Sequence, residues 1–126
     1  ETERARRGET GVLDGVALGL PALLRAVKLQ KRAARVGFDW PDDSHVLDKI
    51  REEVEELAEA RSGLGPEKTE EEFGDLMFVM ANLARHWGIE PERLLYGCAR
   101  RGSRARPKLF VRRVLGPRPL AHASPV

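Results

Sequence analysis

Four acidic residues are spaced so that they could hold a divalent cation. Glu53 and Glu56 lie three residues apart, and Glu72 and Asp75 repeat that spacing. In a helix, residues three apart share one face, with Cβ atoms about 5–6 Å apart. If the two helices are neighbours, the four carboxylates converge, and a cation between them relieves their mutual repulsion. Hard oxygen ligands of this kind select Mg²⁺, Mn²⁺ or Ca²⁺.

A solvated helix face is the alternative interpretation, because acidic runs on helices usually face water. At 100° per residue, Glu72 falls within the apolar arc of its helix and Asp75 falls at the edge of that arc. Glu53 borders the apolar stripe of its own helix. A carboxylate directed toward a core must be paired or bind a metal, which favours the metal site. Three acids point away from the stripe and are predicted to be ordinary surface residues: Glu52, Glu55 and Glu59.

The elements that must position these acids are predicted to be helices. Apolar residues recur at helical spacing in successive segments, and no segment shows convincing period-two alternation. The fold class is therefore all-α, an antiparallel helical bundle with short loops and an irregular basic tail. Proline, glycine and capping residues predict where the helices begin and end. The first helix is predicted to begin at Pro21 and end at Gly37, and the second to begin at Asp43 or Ser44. The third is predicted to begin at Pro66 and end at Gly88, and the fourth to run from Glu92 to about Ala99.

The apolar stripe of the third helix is wide. It is predicted to contain Phe73, Leu76, Met77, Met80, Leu83, Ala84 and Trp87. The first helix also has a broad apolar face, so three short helices have more apolar surface than they can cover. This predicts at least a dimer, since oligomers most often close as twofold dimers.

Charge divides the chain into an acidic body and a basic end. The net charge of +2 over 126 residues combines −6 in residues 1–96 with +8 in residues 97–126. An acidic body suits a cation site, and a basic tail could meet nucleic acid or phosphate. We predict a lead-in segment at residues 1–19, a helical domain at residues 20–99 and an irregular tail, rich in Arg, Pro and Gly, at residues 100–126.

Cysteine content and hydropathy indicate the compartment. Cys98 is the single cysteine, which excludes an internal disulfide. No apolar run reaches the roughly 18 residues that span a bilayer, and no apolar region of a signal peptide follows the charged N-terminal residues. These features predict a cytoplasmic protein that does not associate with membranes.

The acidic pairs and their surroundings resemble a known family. Glu53-x-x-Glu56 and Glu72-x-x-Asp75 resemble the signature of the all-α nucleoside triphosphate pyrophosphohydrolases. Residues 20–40, which end in Gly-Phe-Asp-Trp, and residues 71–86 look like the C-terminal domain of MazG. The similarity covers about residues 12–96.

This resemblance implies a fold, a reaction and a set of roles. The fold is a helical bundle that dimerises, with sites near the subunit contact. The reaction hydrolyses a nucleoside triphosphate between the α and β phosphates, giving the monophosphate and pyrophosphate, and removes canonical or damaged nucleotides. By position, the Mg²⁺ ligands and catalytic residues would be Glu53, Glu56, Glu72 and Asp75, with Mn²⁺ as a substitute metal.

Candidate substrate-binding residues lie on and after the first helix. Gln30 lies within the apolar face, where it is either a polar group near the nucleotide or a core amide bonded to the backbone. Lys28 and Lys31 lie nearer the polar side and could reach a phosphate. Trp40 could stack on a base, or it could fill a helix–helix corner.

The resemblance ends after the third helix. Family members continue with an Asn-x-Lys-Phe segment whose Lys, with a following Arg, contacts phosphates, and residues 94–110 do not match it. No residue beyond Tyr96 is therefore assigned a role by position. Two other functions stay open. One is a catalytically impaired, dimeric regulatory or interaction module. The other is nucleic-acid binding by the tail, which is disfavoured because the tail has one aromatic residue, Phe110, and no recognised motif.

Overall fold

The computed structural model describes residues 11–103 and 107–116, and the regular structure within these ranges is entirely helical. The prediction of an all-α fold is confirmed. Contacts divide the chain into two compact units between Glu92 and Arg93, whereas the domain limits at residues 19 and 99 remain predictions. The helices are α1 (Ala22–Ala34), α2 (Asp43–Gly63), α3 (Pro66–His86), α4 (Pro91–Ser103) and α5 (Pro107–Leu115).

An aspartate side chain fixes the start of α2. The Asp42 carboxylate accepts hydrogen bonds from the backbone N–H groups of Ser44 at 3.0 Å and His45 at 3.3 Å, which satisfies donors that the helix leaves unpaired. Hydrogen bonds from the Ser44 hydroxyl and the His45 side chain lower the pKa of Asp42 to about 2. The N-cap is therefore Asp42, which precedes both predicted residues, Asp43 and Ser44. Asp42 alone has the extended backbone that an N-cap needs, with φ −152° and ψ 172°.

A very short turn makes α2 and α3 neighbours. The Leu64 N–H donates to the Ala60 carbonyl at 2.9 Å and closes α2. Gly65 follows with φ 91°, a conformation that glycine adopts without steric cost. Pro66 then occupies the first turn of α3, where its missing N–H is not needed. Because only two residues separate the helices, they pack side by side as an antiparallel pair.

A small core joins α1 to α3. Ala26, Val27 and Ala81 are buried together, and Leu23 packs against them. On α3, Leu83 and Ala84 are also buried. Helices α1 and α2 cover only two sides of α3, so several larger members of the predicted apolar stripe are not covered within one chain. Side chains between 45% and 53% exposed remain at Phe73, Met77, Met80 and Trp87.

The tail contains more regular structure than its composition predicts. Helix α4 continues to Ser103, beyond the predicted end near Ala99, and Pro107–Leu115 form α5. The prediction of an irregular tail is therefore wrong for these residues. Pro107 begins α5, because proline is well suited to the first position of a helix. The remaining tail residues, 104–106 and 117–126, lie outside the described residues.

Candidate metal and nucleotide site

Helices α2 and α3 bring three of the four predicted acids together. Carboxylate oxygens of Glu53, Glu56 and Glu72 lie within 4.8 Å of one another. Glu53 is 4% exposed and Glu72 is 7% exposed, while Glu56 is half-buried. The burial of Glu72 agrees with its predicted place inside the apolar arc. The three acids predicted to face solvent are exposed: Glu52, Glu55 and Glu59.

Asp75 lies at the exposed edge of this acidic cluster. Its carboxylate lies close to those of Glu71 and Glu72, and oxygens of these three side chains are also within 4.8 Å of one another. Glu72 is therefore shared by two overlapping groups of three. Loss of hydration, followed by the charges of Glu53 and Glu72, raises the pKa of Asp75. Asp75 thus interacts electrostatically with the cluster without being buried in it.

In each of the two buried acids, Glu53 and Glu72, one carboxylate oxygen has a partner and the other has none. Glu53 Oε1 pairs with Lys49 Nζ at 2.6 Å, and Glu72 Oε1 pairs with Lys68 Nζ at 2.9 Å. The second oxygens, Glu53 Oε2 and Glu72 Oε2, are buried and have no hydrogen-bond partner. A buried oxygen without a partner is unfavourable unless a donor or a cation reaches it. Unsatisfied carboxylate oxygens at the centre of an acidic cluster therefore point to a bound cation.

The donor set fits a divalent cation such as Mg²⁺. All the candidate ligands are carboxylate oxygens, which hard cations prefer. Two oxygens on opposite sides of one such ion are about 4–5 Å apart, and the candidate oxygens, all within 4.8 Å of one another, lie close enough to share one ion. Loss of hydration and the charges of Glu53 and Glu72 raise the pKa of Glu56. The hydrogen bond from Lys68 lowers the pKa of Glu72.

Sequence analysis did not single out the two lysines of this site. Lys49 precedes Glu53 by four residues, and Lys68 precedes Glu72 by four. The pattern Lys-x-x-Glu-Glu therefore occurs in both helices, and this repetition is the signal that could have identified them. The hydrogen bonds that Lys68 donates to Glu72 and Glu71 raise the pKa of Lys68 to about 12. Both lysines are thus committed to the acidic cluster.

An apolar cleft of about 590 Å³ lies beside Lys49. Aromatic side chains from the loop after α1 and from α3 line it, together with a few polar groups. Trp40 is 44% exposed, so the alternative interpretation of a corner-filling residue is wrong. One face of the Trp40 ring stacks on His45, with centroids 6.1 Å apart and planes 11° apart. The lining of the cleft includes Gln30, Phe38, Trp40, Lys49, Phe78 and Asn82.

The side chain of Gln30, which lines this cleft, is held in a fixed orientation. Its Nε2 donates to the Phe78 carbonyl at 2.8 Å, and a carbonyl can only accept, so the amide cannot be reversed. Its Oε1 is buried without a partner. The interpretation of Gln30 as a core amide bonded to the backbone is confirmed, and its role toward substrate stays a prediction.

The structure does not bring Lys28 and Lys31 to the acids or to the aromatic cleft. They line a separate cleft of about 340 Å³ with Arg32 and Arg35, between α1 and residues 15–20. Helix α1 turns its buried face toward α3, and these basic side chains lie on its other side. Their predicted contact with substrate therefore has no geometric support.

A charged network joins the aromatic loop to α3. Asp39 accepts hydrogen bonds from Arg85 Nη2 at 2.7 Å and from His86 Nε2 at 2.8 Å. Arg85 also donates to Asn82 Oδ1 from Nε at 3.0 Å and from Nη2 at 2.8 Å. Asn82 and Arg85 are both half-buried and line the cleft.

Replacing Asp39 with Asn should weaken the attachment of this loop in a pH-dependent way. Burial opposes the charge of Asp39, but the bonds from Arg85 and His86 lower its pKa below the ordinary value. The stabilisation is therefore present above the unfolded pKa near 4 and is lost as pH falls through the folded pKa. We expect Asp39→Asn to cost about 1 kcal/mol at pH 7, because the pair is partly exposed.

Urea unfolding at pH 7 and pH 3 measures this effect. The difference between Asp39→Asn and the unchanged chain should shrink at the lower pH. Asp48→Asn is the matched control, because Asp48 pairs with Arg51 at 2.9 Å and both side chains are largely exposed. Equal losses for the two variants at pH 7 would contradict a structural role for the Asp39 network.

Comparison with known proteins gives consistent matches. The family description "Phosphoribosyl-ATP pyrophosphohydrolase" matches residues 21–102. A nucleoside triphosphate pyrophosphohydrolase of Escherichia coli K12 is 49% identical over 92 residues, covering 71% of this chain and 35% of that protein. A nucleoside triphosphate pyrophosphohydrolase/pyrophosphatase MazG of Thermotoga maritima is 45% identical over 82 residues, covering 65% and 31%. The chain thus spans about a third of the length of these relatives.

Within residues 11–103 and 107–116, no helix is both long enough and apolar enough to cross a membrane.

Proposed function

The chain belongs to the phosphoribosyl-ATP pyrophosphohydrolase family, and from that premise we propose that it hydrolyses nucleoside triphosphates to the monophosphate and pyrophosphate with Mg²⁺. The observation that carries this proposal is the acidic cluster, whose buried oxygens at Glu53 and Glu72 have no partner. The names of the two relatives support the reaction. In this proposal Glu53, Glu56, Glu72 and Asp75 hold the metal, with Mn²⁺ as a substitute.

The cluster needs a cation before it can meet this substrate. A triphosphate carries nearly four negative charges, and the acids alone would repel it. When bound, Mg²⁺ neutralises phosphate charge and lowers the pKa of a coordinated water. The buried carboxylates of Glu53 and Glu72 fix the position of the reacting phosphates, because helices rather than loops carry them.

The proposed reaction breaks the linkage between the α and β phosphates. The oxygen of a water forms a bond to phosphorus while the bond to the bridging oxygen breaks and pyrophosphate leaves. A carboxylate that is not fully committed to the cation accepts the proton of that water. The apolar cleft beside Lys49 takes the nucleoside, with Trp40 against the base.

The products test this proposal directly. The purified chain is incubated with the common nucleoside triphosphates and Mg²⁺, and the initial products are separated by ion-exchange chromatography. We expect monophosphate and pyrophosphate, with no turnover in the presence of a chelator. Diphosphate and orthophosphate as initial products would remove the assignment.

A catalytically impaired regulatory or interaction module is the second candidate function. The absence of an Asn-x-Lys-Phe segment after α3 favours it, because that segment supplies phosphate contacts in the family that this sequence resembles. The two candidates differ in one measurement. The module would bind nucleotide and Mg²⁺ without turnover over many hours, whereas the enzyme would release pyrophosphate.

We also propose that two copies of the chain associate through α3. Phe73, Met77 and Met80 lie one after another along this helix and are each about half exposed. Exposed apolar residues in such a row are typical of interaction surfaces. Met77→Glu should therefore shift the protein from dimer to monomer in light scattering at micromolar concentration. Val36→Glu, at an exposed apolar residue outside α3, should leave the dimer intact, and a wild-type monomer would contradict the proposal.

We place the proposed reaction in the cytoplasm, where nucleoside triphosphates and Mg²⁺ are available. The single cysteine, Cys98, is compatible with a reducing compartment. The corresponding role is to remove unwanted canonical or damaged nucleotides from the nucleotide pool.

A further inference from the structure

Among the residues that the structure describes, Lys49 alone both pairs with the acidic cluster and lines the aromatic cleft. Its Nζ contacts Glu53 Oε1 at 2.6 Å and Glu52 Oε1 at 3.2 Å. Its side chain is 30% exposed, so it is neither locked in the core nor free in solvent. Among the described residues, the lining of the cleft includes Lys49 but not Lys68. The two lysines make equivalent ion pairs in different surroundings.

The other cation of the cleft is already committed. Arg85 pairs with Asp39 at 2.7 Å and also donates to Asn82. Neither of these partners belongs to the acidic cluster, so a metal ion there leaves the Arg85 pair intact. Glu53, by contrast, is both the partner of Lys49 and a member of the cluster. Lys68 also competes with a cation, for the carboxylate of Glu72, but of the two cations that line the cleft only Lys49 does so.

We propose that Lys49 exchanges partners when cation and nucleotide bind. Without a cation, Lys49 neutralises Glu53. A divalent ion at the cluster takes over that carboxylate and repels the ammonium group, which turns to the α-phosphate of the substrate. The α-phosphate joins the nucleoside to the rest of the triphosphate chain, so it must lie between the cleft and the cluster. Lys49 borders both.

This inference rests on the proposed function and adds a residue to it. A lysine that only stabilises α2 through its ion pair would lose stability on substitution and would change nothing else. A lysine that exchanges partners has two opposite effects. Its removal eliminates a competitor of the cation, which strengthens metal binding. The same removal deletes a phosphate contact, which weakens binding and turnover of the nucleotide.

The test is Lys49→Met, which keeps the length of the side chain and removes its charge. Calorimetric titration with Mg²⁺ alone, without nucleotide, should show Kd lowered about 3- to 10-fold. With nucleoside triphosphate and Mg²⁺, kcat/KM should fall about 10- to 100-fold. Lys49→Arg should recover most of that loss because it restores the charge. Arg51→Met is the matched control, since Arg51 lies on the same helix in an exposed pair with Asp48, and it should change neither quantity more than about twofold.

Each result has a defined meaning. Weaker or unchanged Mg²⁺ binding by Lys49→Met, or kcat/KM within twofold of the unchanged chain, overturns the exchange. Lys49→Gln repeats both measurements if Lys49→Met melts early. If the unchanged chain hydrolyses no nucleotide, the proposed enzymatic function fails. The Mg²⁺ titration and the binding of an α,β-methylene nucleoside triphosphate then still decide whether Lys49 exchanges partners.

Discussion

Replacing Glu72 with Ala should reduce Mg²⁺-dependent hydrolysis by at least about 100-fold. Changes to residues that only support a metal ligand cost about 10- to 100-fold, and Glu72 is proposed as a direct ligand. Glu72 also belongs to both acidic groups, the one that contains Glu53 and the one that contains Asp75. Its loss therefore affects both groups. Steady-state kinetics at several Mg²⁺ concentrations measures the effect.

Thermal stability without a cation should not fall in parallel with activity. Glu72→Ala removes a buried oxygen that has no partner, but it also removes the ion pair with Lys68 that lowers the pKa of Glu72, so the two effects oppose each other and the melting temperature should change little. Glu56→Gln should raise it. Loss of hydration and the charges of Glu53 and Glu72 raise the pKa of Glu56, which means that its charged form is unfavourable in the fold.

An exposed acid on α2 provides the control for these variants. Glu59→Ala should leave both activity and melting temperature nearly unchanged, because Glu59 faces water and lies outside the cluster. Melting curves for the three variants with and without Mg²⁺ accompany the kinetic assay. If Glu72→Ala behaves like Glu59→Ala in every measurement, the cluster is a solvated helix face and not a metal site.

Replacing Trp40 with Ala should raise KM for nucleoside triphosphates about 10- to 100-fold. Stacking of a base on an aromatic ring contributes about 1–3 kcal/mol, and each 1.4 kcal/mol corresponds to a factor of ten. Trp40 lines the cleft beside Lys49 and is 44% exposed, while His45 supports its other face. The contact does not involve the reacting phosphates, so kcat should change much less than KM.

The chain has two tryptophans, which allows a direct binding measurement. Trp87 is 51% exposed but does not line the cleft, so Trp87→Phe should leave KM nearly unchanged. In that variant all tryptophan fluorescence comes from Trp40 and should be quenched by nucleotide. An unchanged KM in Trp40→Ala, or fluorescence that does not respond to nucleotide, would falsify base stacking at this position.

The sequence is sufficient to predict the all-α fold and the burial of Glu72. Both depend on helical periodicity, which is a local property and can be counted along the chain. The side of α3 that carries Glu72 follows from its position among Leu76, Val79 and Leu83. Capping and turn residues also locate the helix boundaries to within a few residues.

Periodicity does not show how much of the apolar stripe of a helix is covered by the neighbouring helices. Met77 and Met80 have the spacing of core residues, yet both remain about half exposed because α1 and α2 pack on other sides of α3. Pro107 illustrates a second limit, since the same residue begins a helix or ends one depending on what precedes it. Residue type alone could not distinguish these cases.

The sequence by itself determined which acids share a helix face, because i and i+3 spacing fixes that within one helix. Only the tertiary structure decided which acids meet across α2 and α3, where Glu53, Glu56 and Glu72 converge and Asp75 stays at the exposed edge. It also decided that Lys49, and neither Lys28 nor Lys31, borders the cleft. Contacts between helices depend on their rotation and offset, and these are set by the packing of side chains far apart in the chain.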